Sequence, residues 1–182
     1  MKEVKEDNLM QLLKEEVVRS ASAQGFTLPH SIEEYLAELV SDTLYGNRNI
    51  VDKNLYIAEV YLNSFLMSNS GRLSELKKAG DACLVKTGLF IGTQSKVMSR
   101  DYYLEVGSSA FDLCYQMSQN PTYRELANNM SDYSDVLYGV KNCSITNNII
   151  SLYEDWKNTK SNFSKRRLIA LGFSFNMTGL SE

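Results

Sequence analysis

Apolar residues recur along this chain every three or four positions, and apart from the short run Leu89-Phe90-Ile91 nothing alternates with the two-residue rhythm of a half-buried strand. That spacing admits helices and little else. Leu9, Leu12, Leu13 and Val17 form a stripe over residues 8–23, which Gly25 ends. Ser31-Ile32-Glu33-Glu34 reads as a capping box, followed by Ile32, Leu36, Leu39, Val40, Thr43 and Leu44 on one face and by Gly46 as a C-terminal stop. Over 51–68, Leu55, Ala58, Leu62, Phe65 and Leu66 share a face, and Ser68-Asn69-Ser70-Gly71 reads as a turn. A fourth helix over 72–86 turns Leu73, Leu76, Gly80, Cys83 and Leu84 inward. Ser99 caps a fifth over 100–118, with Tyr103, Val106, Gly107, Ala110, Leu113, Cys114 and Met117 in its stripe.

Asn120 followed by Pro121 opens a sixth helix over 121–140, since the first helical position needs no N–H. Ser144 starts a seventh, carrying Ile145, Ile149, Leu152, Tyr153 and Trp156, and Ser164 caps a short eighth that stops at Gly172. Ten Gly and two Pro in 182 residues are too few for a many-turned β-sandwich. The prediction is an all-α, single-domain bundle of seven or eight helices with short connections. It has an N-terminal amphipathic helix and connector over 1–30, a helical core over 31–172 and a loose tail over 173–182.

The residues exclude more chemistry than they suggest. The only histidine is His30, at a helix entrance where an exposed or capping role is expected. One histidine rules out the paired Glu-x-x-His motifs of a di-iron bundle and leaves a Ser-His-Asp triad without a recommended base. Cys83, Cys114 and Cys143 stand about thirty residues apart with no CxxC pair, which argues against a zinc knuckle and for buried thiols in a reducing compartment. No phosphate-binding glycine loop and no nucleophile elbow is present. No catalytic residue, metal or cofactor is therefore expected. The formal net charge is −3, so nucleic-acid binding is not expected, and the Lys165-Arg166-Arg167 cluster reads as a solvated helix face. An acidic N-terminus without an apolar run, and no stretch near 20 apolar residues, predict a soluble, cytoplasmic chain that does not insert in a membrane.

One constellation stands above this background. The fourth helix carries Gly80-Asp81, and the fifth carries Tyr102, Tyr103, Gly107 and Ala110. Gly80, Gly107 and Ala110 permit close helix packing, and glycine in a helix costs about 1 kcal/mol relative to alanine unless the missing side chain makes room. Asp81, Tyr102 and Tyr103 then read either as a satisfied polar cluster or as a small ligand-binding pocket. Eleven tyrosines, among them Tyr35, Tyr45, Tyr56, Tyr61 and Tyr138 at stripe edges, suit a protein interface or self-association.

The segments LKKAGDACLVKTGL, DYYLEVGSSAFDLCY, YRELANNMSDYSDVLYGV and IISLYEDWKNTKSNFSKRRLIALG follow one another between about residues 32 and 172. In that order they resemble a family of bacterial all-helical proteins that carries no assigned activity. Gly80, Asp81, Tyr102, Tyr103 and Gly107 match the family's pattern. The chain departs from it after Phe90, where members often have proline and this sequence has Ile91-Gly92. The expected function is a non-catalytic accessory or adaptor role through protein–protein interaction. The alternative is a ligand-binding or enzymatic bundle with its pocket at Asp81, Tyr102 and Tyr103.

Overall fold

The structure, a computed structural model, describes residues 3–45, 57–90, 99–142, 149–159 and 161–170. Among them are nine helices and no strand: α1 (Glu3–Ser22), α2 (His30–Tyr45), α3 (Ile57–Ser64), α4 (Asn69–Gly88), α5 (Arg100–Ser118), α6 (Pro121–Asn128), α7 (Met130–Asn142), α8 (Ile149–Thr159) and α9 (Asn162–Ala170). Gly46, Tyr56, Cys143, Ser144 and the tail 173–182 lie outside the described residues.

The all-α reading holds, and nine helices replace the expected seven or eight because the sixth is two. Asn129 separates α6 from α7 at φ −119° and ψ 26°, and its side-chain amide donates to the Glu125 backbone carbonyl (3.3 Å) and carboxylate (2.9 Å). A short amide side chain that satisfies its own turn competes with the helical backbone, which is why asparagine marks such breaks.

Local corrections have similar causes. Ser68 is the N-cap of α4, so Asn69-Ser70-Gly71 is its first turn rather than a loop. The first amides of a helix have no intrahelical partner, and poor helix formers are tolerated there. The α2 capping box does not form as expected. Helix α2 begins at His30, with the Ile32 and Glu33 amides on the Pro29 carbonyl, and Glu34 reaches Lys14 of α1 at 2.9 Å. Ser161, not Ser164, caps α9 by accepting from the Phe163 amide at 3.2 Å, while Ser164 lies inside the helix and donates to Asp155. The other caps stand as read: Ser99 accepts from the Tyr102 amide, Asn120 from the Thr122 amide ahead of Pro121, and Gly25 stops α1 with φ +85°.

Two helices form the centre. The stretch from Ala79 to Val85 in α4 is buried on every side, as is Tyr133 to Gly139 in α7. Helix α5 runs antiparallel along α4 in the most extensive contact of the molecule. Leu13, Val17 and Ala21 of α1 join this same core, so the segment before residue 30 is packed into the domain.

A helix buried all round cannot send its charges to water. In α7 the carboxylate of Asp135, fully buried, accepts from the Arg100 guanidinium at 2.9 Å and from the Ser161 hydroxyl at 3.0 Å. Arg100 also donates to Ser134 at 3.1 Å. Nearby, Ser20 of α1 donates to the Val136 carbonyl and Gln24 to the Asp135 carbonyl. Burial pushes the Asp135 carboxyl above the ordinary carboxylate range, and the charge of Arg100 works against that rise. This polar seam ties α1, α5, α7 and the start of α9 together.

Candidate functional site

The predicted α4/α5 cluster is built of tightly packed parts. A methyl group added at Gly107 would meet Met130 and lie 2.8 Å from Cys83 Cβ, and one added at Gly80 would lie 2.7 Å from the Phe111 ring. Ala110 is fully buried beside them. These small residues let α5 approach α4, as their spacing predicts. The same device recurs where no expectation was placed: at Gly88 against Leu137, and at Gly139, where α7 closes on Ser20 of α1. The approach at Gly139 joins a different pair of helices, α7 and α1.

Asp81 is buried, and Tyr35 of α2 donates to it at 2.5 Å while Lys77 binds its other oxygen at 2.7 Å. The Lys77 ammonium also lies 4.8 Å from the centre of the Tyr35 ring. Burial first, then the Asp81 charge, raises the Tyr35 hydroxyl well above the usual tyrosine range, so it stays a donor. Tyr102 and Tyr103 stand elsewhere. Gly80 faces Phe111, Cys83 faces Gly107 and Lys86 lies 5.5 Å from the Tyr103 ring. That register places the tyrosine pair level with Lys86, about 7 Å along the axis from Asp81. Their rings meet edge to face at 5.4 Å. Asp81 thus pairs with Tyr35, a residue whose part sequence reasoning missed, and not with Tyr102 and Tyr103. A buried aspartate directly after the α4 glycine Gly80 needs a donor from a third helix, and that requirement was the available signal.

The tyrosines at stripe edges divide in the same way. The Tyr35 hydroxyl is tied to Asp81, and Tyr138 is buried with its hydroxyl on Asp155. Tyr61 remains half-buried, and it sits beside the feature that departs most from expectation. The stripe Leu62, Phe65 and Leu66, read as core, faces outward: the three are 63%, 45% and 87% exposed. Helix α3 stops at Ser64, whose hydroxyl donates to the Tyr61 carbonyl at 2.6 Å. Three successive amides, Phe65, Leu66 and Met67, then bond three residues back in a tightened turn that holds Leu66 and Met67 at the surface. Tyr61 meets Phe65 edge to face at 5.4 Å, and the Arg72 guanidinium covers the other ring at 4.5 Å from its centre. Beside them Tyr61 and Phe65 form one wall of a groove of about 470 Å³, whose other wall is Ser108, Ser109, Asp112 and Leu113 of α5.

Chemistry is sparse elsewhere. His30 is exposed at the start of α2, 3.4 Å from both Glu33 and Glu34. The thiols of Cys83 and Cys114 are buried and raised to about 12, mainly by burial. Of the basic cluster, Arg166 turns inward to Asp132 at 3.0 Å. Among the described residues, no group of three or more His, Cys, Asp or Glu is placed to hold a metal ion, and no helix is long and apolar enough to cross a membrane. Comparison of the chain with protein-family models, with curated proteins and with solved structures finds no match.

Proposed function

We propose that this chain is a non-catalytic accessory or adaptor protein that binds a protein partner through the apolar end of α3 and the groove between α3 and α5. The observation that carries this reading is the outward stripe Leu62, Phe65, Leu66 and Met67. Singly exposed apolar side chains are ordinary, but several together around one turn mark a surface made for contact. Phe65 is pre-positioned between Tyr61 and Arg72, and aromatic and arginine side chains are the groups that anchor protein interfaces. The groove suits an amphipathic helix of the partner, its apolar residues on Phe65 and Leu113 and its polar edge on the α5 serines. The Asp81 alternative draws no such support, because the Asp81 carboxylate is engaged by Tyr35 and Lys77. Membership of the bacterial helical family and a cytoplasmic setting belong to the same proposal, the second supported by the two buried, unbridged cysteines.

The test is capture from the native cell on immobilised wild type and on Phe65→Ser/Leu66→Ser, with sedimentation velocity of both. Wild type should retain a stoichiometric protein partner that the double variant loses. Self-association through the same face would instead give a wild-type dimer that the variant dissolves. A monomeric wild type that captures nothing, or a partner retained equally by both proteins, contradicts the proposal.

A further inference from the structure

The groove between α3 and α5 has a charge pattern as well as an apolar wall. Helix α5 carries three acidic residues, Asp101, Glu105 and Asp112, and all three are exposed. Positions 101, 105, 109 and 112 follow one another at helical spacing, so these acids share one ridge with Ser109. Ser109 and Asp112 of that ridge line the groove. The single basic residue of α5, Arg100, is turned to the buried Asp135 at 2.9 Å. On α3, Glu59 is exposed one turn before Leu62.

Among the described residues no lysine or arginine pairs with Glu59, Glu105 or Asp112, and Asp112 accepts from Gln116 of its own helix at 2.7 Å. The Arg72 guanidinium is stacked on Phe65. Three carboxylates against this one cation leave the surround of the groove with two excess negative charges. The Ser108 hydroxyl is spent on the Ala127 carbonyl at 2.6 Å. Charge, more than hydroxyl hydrogen bonding, is therefore what the α5 wall offers a partner. An acidic ridge by itself is an ordinary solvated face. This one borders Phe65 and Leu66, 45% and 87% exposed, and charges at the rim of an apolar contact select the partner and speed its approach.

We propose that the partner segment received by this groove is a basic amphipathic helix, an inference that rests on the groove being a docking site. Its apolar face covers Phe65 and Leu113, and lysine or arginine side chains on one edge lie over Glu105 and Asp112. Those two carboxylates stand two helical turns apart, about 10 Å along the α5 axis. Cations two turns apart on a helix lying along α5 meet both of them. An acidic amphipathic helix with the same apolar face is repelled by the same pair.

Fluorescence anisotropy of the full chain with three labelled, helix-stapled peptides tests the assignment. The peptides share one leucine face and differ only in their polar positions, which are lysine, glutamine or glutamate. The lysine peptide should bind wild type at least tenfold more tightly than the glutamine peptide, and added salt should narrow that gap. The glutamate peptide should bind most weakly. Glu105→Gln/Asp112→Asn should weaken the lysine peptide at least fivefold and leave the glutamine peptide unchanged. Glu15→Gln/Glu154→Gln, which removes two exposed carboxylates on α1 and α8, should bind all three as wild type does. The proposal is overturned if no peptide binds, if the glutamine peptide binds as tightly as the lysine peptide, or if Glu105→Gln/Asp112→Asn binds the lysine peptide as wild type does. A glutamine peptide that equals the lysine peptide and is released by Phe65→Ser/Leu66→Ser removes the basic partner and leaves the docking site standing. A lysine peptide held equally by Phe65→Ser/Leu66→Ser removes both.

Discussion

Helices α3 and α4 lie against each other, and they dispose of their apolar residues in opposite ways. The middle of α4 is buried all round, closed by glycine contacts and by the Tyr35–Asp81–Lys77 bridge. The end of α3 turns Leu62, Phe65 and Leu66 to the surface. In the sequence both segments carry apolar residues at helical spacing. The difference teaches that periodicity tells which residues share a face and not whether this chain supplies the cover. In the middle of α4 the Asp81 carboxylate and the apolar side chains are met inside the domain, so substitution there should register as lost stability. At the end of α3 the apolar surface is unmet, so substitution there should register as lost association.

The largest effect is expected at the polar seam that supports the α4/α7 centre. Arg100→Met leaves Asp135 buried without its cation, a change that costs about 3–5 kcal/mol. For a domain of this size each kcal/mol shifts the melting temperature by roughly 2–4 °C. The pH dependence has a definite sign. Burial raises the Asp135 carboxyl in the folded state above its ordinary value of 3.8. Its contribution to stability is therefore fully present below the unfolded value and is lost as pH rises through the folded one. Removing Arg100 removes the charge that opposes the rise, so that loss moves to higher pH. Chemical denaturation should show Arg100→Met recovering part of its deficit as neutral buffer is made mildly acidic. A deficit that grows on acidification would show that Asp135 is not the group left behind.

Next comes the glycine contact. Gly107→Leu should cost about 1–3 kcal/mol by overpacking against Cys83 and Met130. Gly107→Ala gains about 1 kcal/mol of helix propensity, yet it places its methyl on the Cys83 stem, so it too should lower the melting temperature. A stabilised alanine variant would mean that α4 and α5 can separate freely at this point, and the contrast with α3 would fail.

Asp81→Ala follows, at about 1–3 kcal/mol, because the buried Tyr35 hydroxyl loses its acceptor. The loss should appear in the denaturation midpoint with capture of the partner unchanged. Unchanged stability with lost capture would return Asp81 to a binding role.

The legible part of this molecule is the part decided locally. The all-α class, the Ser99 and Asn120 caps, the Gly25 stop and the small-residue face at Gly80, Gly107 and Ala110 depend on neighbours within a turn or two. The illegible part depends on third parties. Nothing near Asp81 names Tyr35, 46 positions away. Nothing near Asp135 names Arg100, 35 positions away. The spacing of Leu62, Phe65 and Leu66 is that of a core stripe, and only the packed arrangement shows them uncovered. The break at Asn129 was within reach, since asparagine satisfies its own turn, but the stripe through Leu126, Met130, Tyr133 and Leu137 continues across it and masks the interruption.

The smallest stability effect is the most informative for function. Leu66 is 87% exposed and Phe65 45%, so Phe65→Ser/Leu66→Ser should stay within about 0.5–1 kcal/mol of wild type. Denaturation and partner capture, measured on the same preparation of that double variant, give the most direct test. An unchanged denaturation midpoint together with lost capture is the predicted result. An unfolding free energy lowered by several kcal/mol with capture intact would show that the stripe serves folding after all.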